Sequence, residues 1–172
     1  MDNNEHNKGL MVNLPYPEVD PACEPKTVCL LKEDYAGSDG EITAINLYIY
    51  QHILLDGELD EIAEALLKIS IVEMHHMELL GEAIKKLGGD PIYQSNCRMW
   101  TADYVNFVKN PRCILMVDIE AEKTAIRNYR RHINMICNPQ VQELLERIIM
   151  DEELHLEVFK GLLSRLNDIK YV

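Results

Sequence analysis

The chain has 172 residues, of which 47% are hydrophobic and 27% are charged, and it carries a net charge of −12 at neutral pH. This length suits one compact domain, and the acidic balance argues against nucleic acid and anionic membrane surfaces as partners. No apolar run reaches the roughly 18 residues that a membrane span needs. The polar, acidic start lacks the features of a signal peptide, so we expect a cytoplasmic protein.

We predict that residues 1–37 form an extended N-terminal arm, because much of this segment is rich in proline and shows little periodicity ("LPYPEVDPACEP"). Within it, residues 28–36 predict a short helix, which "GSDG" then interrupts. The first long helix should begin at Ser38, since Ser38-x-x-Glu41 matches a capping box, and should end near Gly57. We expect the arm to pack on the rest of the domain or on a neighbouring subunit.

Three further long helices are predicted, at residues 58–87, 111–138 and 139–167. Residues 88–110 form a long connection, with a short helix at "TADYVNFV". Two tight hairpin connections and one long crossover, between helices 2 and 3, predict an all-α four-helix bundle. The bundle should span residues 38–168, with residues 169–172 as a C-terminal tail.

Each predicted helix carries an apolar seam that is interrupted by charge. Apolar residues recur at steps of three and four along helix 2, with Glu73 and His76 at the centre of the seam, and helix 4 repeats this pattern around Glu152 and His155. Helices 1 and 3 share the related stretches "EITAINLY" and "EKTAIRNY". These two stretches place a glutamate in the seam and a tyrosine seven residues later, at Glu41, Tyr48, Glu122 and Tyr129.

Folding the helices as hairpins brings the seam glutamates level. Gly57 lies midway between Glu41 and Glu73, and a turn near residue 137 likewise places Glu122 opposite Glu152. Four carboxylates and the two imidazoles of the Glu-x-x-His pairs should therefore meet in one layer of the core.

Four buried carboxylates in one layer would repel each other and would each cost several kcal/mol if left unpaired. Two divalent cations would neutralise them. Each ion would take one histidine (His76 or His155) and one terminal glutamate (Glu41 or Glu122), together with a share of two bridging glutamates. The bridging, catalytic carboxylates would be Glu73 and Glu152. Such oxygen-rich sites suit iron or manganese, and a pair of these metals can exchange two electrons with peroxide or dioxygen.

Three residues beside the ligands are candidates for orienting them. Tyr48 and Tyr129 are either simple core tyrosines or hydrogen-bond donors to a ligand, and the sequence favours neither interpretation. Asp151 is a similar candidate, although Val72 occupies the equivalent place in the other half of the chain.

Several other acids and histidines fall outside the seam or far along it. We interpret Glu120 and Glu153 as surface acids, His52 as a core histidine with a hydrogen-bond partner, and His75 as exposed or packed behind a ligand.

These motifs resemble the ferritin-like superfamily over residues 38–167. "EITAINLY" and "DEELH" are similar to bacterioferritins, and "EMHHMELLGEAIKKLGGDP" is similar to rubrerythrins. The "LPYPEV" arm, the "SDGE" helix start and the "WTADY" crossover resemble small manganese catalases. The resemblance implies a ferritin-like bundle that holds two iron or two manganese ions.

Two departures limit what carries over from these families. The five cysteines include no Cys-x-x-Cys pair, which excludes the four-cysteine electron-transfer site that rubrerythrins append. The resemblance to bacterioferritins would put Met74 at a haem-ligating position, but this is a weak basis for haem, because haem binding also needs a matching dimer interface.

The resemblance implies a redox enzyme for oxidative-stress defence that reacts with hydrogen peroxide or dioxygen, as a homo-oligomer and with a separate electron donor protein where one is needed. Two alternatives stay open. One is a bacterioferritin-like ferroxidase that stores iron in a hollow oligomer, and the other is a metal-stabilised structural or coat assembly protein.

Overall fold

The computed structural model describes residues 10–168, so the predicted tail at residues 169–172 and the first nine residues of the arm lie outside the described part. Helices make up most of it, and the predicted all-α four-helix bundle with a long crossover is confirmed. Within residues 10–168, five α-helices follow one another: α1 Pro25–Ala36, α2 Glu41–Leu55, α3 Asp60–Lys86, α4 Pro111–Ile133 and α5 Pro139–Asp168. The bundle consists of α2 packed along α3 and α4 packed along α5.

The turn between α1 and α2 differs from the predicted capping box. Gly40, not Ser38, precedes the first helical residue, no side chain of the described residues caps α2, and the Ser38 hydroxyl donates to Asp39 instead. A β-carbon at Gly40 would lie 2.4 Å from the backbone oxygen of Asp34. The end of α1 and the start of α2 therefore approach too closely for any residue other than glycine at this position.

The predicted arm is partly helical, because α1 begins at Pro25, three residues before the predicted start. Proline suits this first helical position, where no intrahelical bond to its nitrogen is required. The described residues before α1 contact their own bundle: the Ala22 amide donates to the Lys86 carbonyl at 3.0 Å, and Val19 is 4% exposed within the core.

The crossover between α3 and α4 contains a small antiparallel ribbon that the sequence did not predict. Strands β1 (Gln94–Ser95) and β2 (Arg98–Met99) are joined by Asn96 and Cys97, both with positive φ, as in a tight hairpin turn. Trp100 then donates from Nε1 to the Thr43 hydroxyl at 2.9 Å, which ties the crossover to α2. The short helix predicted in this region is present only as a single turn of 3₁₀-helix at Ala102–Tyr104.

Two apolar clusters fill the core, one towards each end of the bundle. Along α3, Leu66 and Ile69 belong to one cluster and Leu80 and Ile84 to the other. Glu73 and His76 lie between these pairs, so the layer predicted to be acidic separates the two clusters. No helix within residues 10–168 is both long enough and apolar enough to cross a membrane.

Candidate metal centre

The structure brings the six predicted ligands together in one buried layer. Each of them is at most 4% exposed: Glu41, Glu73, His76, Glu122, Glu152 and His155. The helical seams explain this placement, because the Glu and His of a Glu-x-x-His pair lie on one face of a helix that is apolar above and below them.

The two central glutamates face both histidines. Glu73 places Oε2 at 2.9 Å from Nδ1 of His76 and Oε1 at 3.0 Å from Nδ1 of His155. Glu152 places Oε1 at 3.2 Å from the first of these nitrogens and Oε2 at 3.4 Å from the second. Each carboxylate thus presents one oxygen to each imidazole, which is the geometry of a group that can bridge two ions.

The other two glutamates each lie beside a single histidine. Oε1 of Glu41 is 3.9 Å from Nδ1 of His76, and Oε1 of Glu122 is 3.9 Å from Nδ1 of His155. Two groups of four possible ligand atoms result, with the atoms of each group within 4.8 Å of one another: Glu41, Glu73, His76 and Glu152 in one, and Glu73, Glu122, Glu152 and His155 in the other. The two groups share Glu73 and Glu152.

The two seam tyrosines cross between the halves of the bundle. Tyr48 on α2 donates to Oε1 of Glu122 on α4 at 2.6 Å, and Tyr129 on α4 donates to Oε1 of Glu41 on α2. Both rings are at most 2% exposed. Each tyrosine therefore fixes the orientation of a terminal carboxylate from the opposite helix hairpin.

The outward-facing nitrogens of the two histidines have different partners. Nε2 of His76 lies 3.2 Å from Oδ2 of Asp151, whereas Nε2 of His155 donates to the carbonyl oxygen of Leu10 at 2.9 Å. Asp151 also accepts hydrogen bonds from Arg147 at 2.8 Å and from the Tyr16 hydroxyl at 2.5 Å.

Sequence reasoning missed Leu10, Tyr16 and Arg147. The spacing of Arg147 and Asp151, four residues apart on one helix, was the one available signal, because it brings the two side chains together.

Burial and mutual repulsion separate the four carboxyls into two kinds. Burial raises the pKa of Glu41 and of Glu122 well above the usual range, and the nearby charges of Glu73 and Glu152 raise it further. Burial acts in the same direction on Glu73 and Glu152, but their contacts with the two histidines outweigh it, so the pKa of each lies below its ordinary value.

The two histidines respond to these carboxylates. Burial lowers the pKa of His155, but Glu73 and Glu152 outweigh burial and raise it to about 9. The pKa of His76 is likewise raised well above its ordinary value, because burial is outweighed by Asp151, Glu152 and Glu73. A raised pKa favours the protonated imidazole, whose positive charge offsets the carboxylates of Glu73 and Glu152, and divalent ions can take over this role.

Three buried polar atoms of the layer indicate that it fits metal ions. Oε1 of Glu73, Oε1 of Glu152 and Nδ1 of His155 are inaccessible to solvent and complete no hydrogen bond of acceptable geometry within residues 10–168, although each of the two oxygens lies within 3.2 Å of an imidazole nitrogen. Buried polar atoms are almost always partnered in folded proteins. A set of carboxylate oxygens with one imidazole nitrogen for each ion suits iron or manganese.

A cavity of about 360 Å³ between α2 and α4 reaches the carboxylates. Its floor includes all four seam glutamates, its walls include Leu47 and Val117, and its rim includes the exposed residues Asp39 and Glu120. Neither His76 nor His155 lines it. A small molecule or an ion can therefore approach the layer from the side of the terminal glutamates.

The remaining residues from the sequence analysis lie away from the layer. Nδ1 of the half-buried His52 is 2.9 Å from the carbonyl oxygen of Ala63, and the side chain of His75 is 42% exposed and lies edge-on to the Tyr16 ring. Glu120 and Glu153 form exposed ion pairs with arginines. The Met74 residue is 45% exposed, and all five cysteines are exposed and free.

Residues 38–169 match the ferritin family, described as a ferritin-like domain. Among characterised proteins, the chain is 31% identical over 134 residues to the bacterioferritin of Desulfovibrio desulfuricans, covering 75% of this chain and 71% of that protein. It is also 24% identical to Protein CotJC of Bacillus subtilis, in an alignment of 177 positions that covers 90% of this chain and 92% of the other.

Solved structures give the same comparison for the fold. KatB, a manganese catalase from Anabaena PCC7120, superposes with a TM-score of 0.82 at 23% identity, over 91% of this chain and 78% of that one. The Desulfovibrio desulfuricans bacterioferritin, whose structure has a diiron site, superposes with a TM-score of 0.68 at 29% identity, over 83% of this chain and 81% of that one. The buried carboxylate–histidine cluster and these relatives together indicate a di-metal protein with a ferritin-like fold.

Proposed function

The chain belongs to the ferritin-like domain family, and on this premise we propose that it is a redox enzyme that holds two iron or two manganese ions and reacts with hydrogen peroxide or dioxygen. The observation that carries the proposal is the position of Glu73 and Glu152, each with one oxygen towards His76 and the other towards His155. Carboxylates placed in this way would be able to share two ions.

The residues of the layer divide into two sets of ligands. Glu41 and His76 would hold one ion, Glu122 and His155 would hold the other, and Glu73 and Glu152 would bridge them. When bound, two such metals supply a two-electron redox step, which matches the chemistry of peroxide. Tyr48 and Tyr129 would keep the terminal carboxylates in place, which lowers the cost of organising the site when the ions bind.

The cavity provides both access and a partial exclusion of water. Ala44, Leu47, Val117 and Ala121 line its walls, so a small uncharged molecule such as hydrogen peroxide or dioxygen meets an apolar passage before it reaches the carboxylates. This part of the lining suits a small uncharged oxidant, which supports the proposal.

A buried pair of one carboxyl and one imidazole beside the cavity can hold a proton, and the sequence analysis did not identify this pair. Asp34 lines the cavity, burial raises its pKa to about 6, and its Oδ2 lies 2.7 Å from Nδ1 of His132. Nε2 of His132 is 3.4 Å from the carboxylate of Glu33, which is 30% exposed. Nη2 of Arg131 lies 2.9 Å from the same nitrogen and donates to Glu33 at 3.0 Å, so Asp34 and His132 can exchange a proton with each other beside the cavity.

The test is to measure the resident metals and the turnover of the purified protein. We expect two iron or manganese ions per chain, together with oxygen evolution from hydrogen peroxide or consumption of a peroxide when an electron donor is supplied. A Glu152→Gln variant should lose this turnover. Failure of the purified protein to bind two ions under any loading condition would overturn the proposal.

A ferroxidase that stores iron is the second candidate, and the similarity to a bacterioferritin over 75% of the chain favours it. In this case the acidic rim of the cavity would admit ferrous ions as substrate. Rapid dioxygen consumption on addition of ferrous iron, with a large hollow assembly in light scattering, would favour storage over peroxide turnover. Two bound ions without turnover of either substrate would leave a metal-stabilised structural or assembly role.

A further inference from the structure

Residues 10–16 of the N-terminal arm, which we name the clasp, lie against the outer side of both metal-facing histidines. We propose that the clasp is a positioning element of the metal centre and that clasp docking and metal loading are coupled. This inference rests on the proposed function, because it presupposes that two ions bind in the acidic layer.

The clasp reaches each histidine in a different way. The carbonyl oxygen of Leu10 accepts the hydrogen bond of His155 directly, at 2.9 Å from Nε2. His76 is reached through Asp151, which accepts from the backbone amide of Val12 at 2.6 Å and from the hydroxyl of Tyr16 at 2.5 Å. A single short segment therefore contributes to the outer hydrogen bonds of both imidazoles.

Arg147 fastens the clasp to the bundle. This residue is only 4% exposed, and its guanidinium donates to the carbonyl oxygens of Val12 and Leu14 at 2.5 and 3.1 Å. The same group donates to Asp151 at 2.8 Å and lies 4.2 Å above the centre of the Tyr16 ring. A buried arginine with this many partners makes undocking of the clasp costly, because its charge would lose them together.

The pseudo-twofold repeat explains why a backbone carbonyl is needed at His155. Asp151 precedes Glu152 on α5 and reaches across to His76, whereas the residue that precedes Glu73 on α3 is Val72, which has no polar side-chain atom. The clasp supplies through Leu10 the acceptor that α3 lacks. Release of the clasp should therefore affect the ion on His155 more than the ion on His76, which keeps Asp151.

These outer hydrogen bonds determine which nitrogen of each ring is free to bind a metal. An acceptor at Nε2 holds the proton there and leaves the lone pair of Nδ1 directed into the acidic layer. Loss of such a partner typically weakens metal binding by about 10- to 100-fold. By linkage, if the docked clasp strengthens metal binding, bound metal must stabilise the docked clasp by the same factor.

The experiment compares manganous-ion titrations of full-length variants. Arg147→Gln should weaken binding of at least one of the two ions by about 10-fold or more, because it removes the bonds to Val12 and Leu14 together with one bond to Asp151. Tyr16→Phe, which keeps the aromatic ring, should have a smaller effect in the same direction. Gln140→Ala is the matched control, because it removes the contacts of Gln140 with Asp20, at 3.0 and 2.9 Å, which join the arm to α5 away from the histidines. We expect this control to bind both ions as the unaltered chain does.

Hydrogen–deuterium exchange provides a second measurement, whose result would not depend on metal if the clasp had a purely structural role. In the unaltered chain, metal loading should slow exchange of the clasp amides, including Val12, and this protection should be lost in Arg147→Gln. If Arg147→Gln does not fold, the inference is tested by the metal affinities of Tyr16→Phe and by the metal dependence of clasp exchange in the unaltered chain.

Unchanged affinities for both ions in Arg147→Gln, or clasp exchange that does not respond to metal, would overturn the inference. Both results leave the proposed function standing, provided that the unaltered chain binds two ions. Absence of binding to the unaltered chain would instead be a failure of the proposed function.

Discussion

The Tyr48 hydroxyl on α2 donates a 2.6 Å hydrogen bond to Glu122 on α4, so the first helix hairpin orients a carboxylate of the second. Tyr129 and Glu41 form the reciprocal bond. The duplicated sequence pattern thus produces a crossed arrangement, in which each half of the bundle orients a terminal glutamate of the other half.

Tyr48→Phe removes one of these two crossing hydrogen bonds and leaves the ring in place. The buried Glu122 would lose its donor, and we expect the free energy of unfolding to fall by about 1–2 kcal/mol. Urea denaturation of the metal-free protein measures this. Tyr50→Phe on the same helix is the control, because the half-buried Tyr50 packs edge-on against Phe107 away from the acidic layer. Equal losses in the two variants would argue against a specific role for the Tyr48 hydroxyl.

Glu73→Gln and Glu152→Gln should each reduce metal binding from two ions per chain to one or none. A neutral amide cannot bridge two cations as a carboxylate does, and its nitrogen would face one of the histidines. Metal analysis after equilibrium dialysis gives the stoichiometry. Glu153→Gln changes the neighbouring exposed glutamate, which pairs with Arg130, and should retain both ions. Retention of two ions with unchanged affinity in either bridging variant would show that the bridging assignment is wrong.

Metal removal should make the stability of the protein sensitive to alkaline pH. The carboxylates of Glu73 and Glu152 raise the pKa of His155 from 6.5 to about 9. A raised histidine pKa stabilises the fold fully below pH 6.5, and this contribution is lost as the pH rises through 9. Bound metal replaces the proton on His155, and metal binding strengthens as the pH rises. The gap in melting temperature between metal-loaded and metal-free protein should therefore widen from pH 6 to pH 9.

Melting curves of chelator-treated and reloaded protein at several pH values measure this gap. A metal-free protein that melts as high as the loaded one at pH 9 would contradict the neutralisation of the layer by cations.

Asp118→Asn should stabilise the protein increasingly as the pH rises. Asp118 on α4 is fully buried, and neither carboxyl oxygen completes a hydrogen bond of acceptable geometry within residues 10–168. Burial raises its pKa well above the usual value, and the side chain of Gln51 offsets this only in part. An acid with a raised pKa costs stability once the pH passes the pKa of the unfolded chain, and asparagine avoids this cost. The variant should match the unaltered protein at pH 4 and exceed it by about 1 kcal/mol or more at pH 8.

Denaturation at the two pH values measures the difference for Asp118→Asn. Asp90→Asn, at an exposed position in the crossover, is the control and should show no such trend. A less stable Asp118→Asn variant at pH 8 would indicate that the ionised carboxylate has a stabilising partner.

The acidic layer could be found from the sequence because its cause is local. An apolar seam with one Glu-x-x-His pair at its centre determines on which face of a helix the charges lie. The position of each turn, about midway between two seam glutamates, then determines that these glutamates lie at the same level along the bundle axis. The boundaries of the helices were less accurate. The start of α1 at Pro25 and the glycine before α2 depend on how closely two chain segments approach, which a propensity pattern does not report.

The outer surroundings of the histidines could not be predicted in the same way. The bond from His155 to Leu10 joins residues 145 positions apart and uses a backbone carbonyl, which has no sequence signature. The buried pairing of Asp34 with His132 spans 98 positions and depends on where α1 packs. Such contacts follow from the docking of an irregular segment and of an additional helix on the bundle, neither of which a periodic pattern specifies.

By itself, then, the sequence determined the bundle, its pseudo-twofold repeat and the six residues that face one another in its core, because helical periodicity converts spacing along the chain into position on a face. The sequence also placed Asp151 opposite Val72, but only the tertiary structure decided what each histidine bonds: Asp151 supports His76, and the clasp supports His155. The physical reason is that a duplicated pattern is symmetric, whereas the single N-terminal segment can dock only once and breaks that symmetry where it binds.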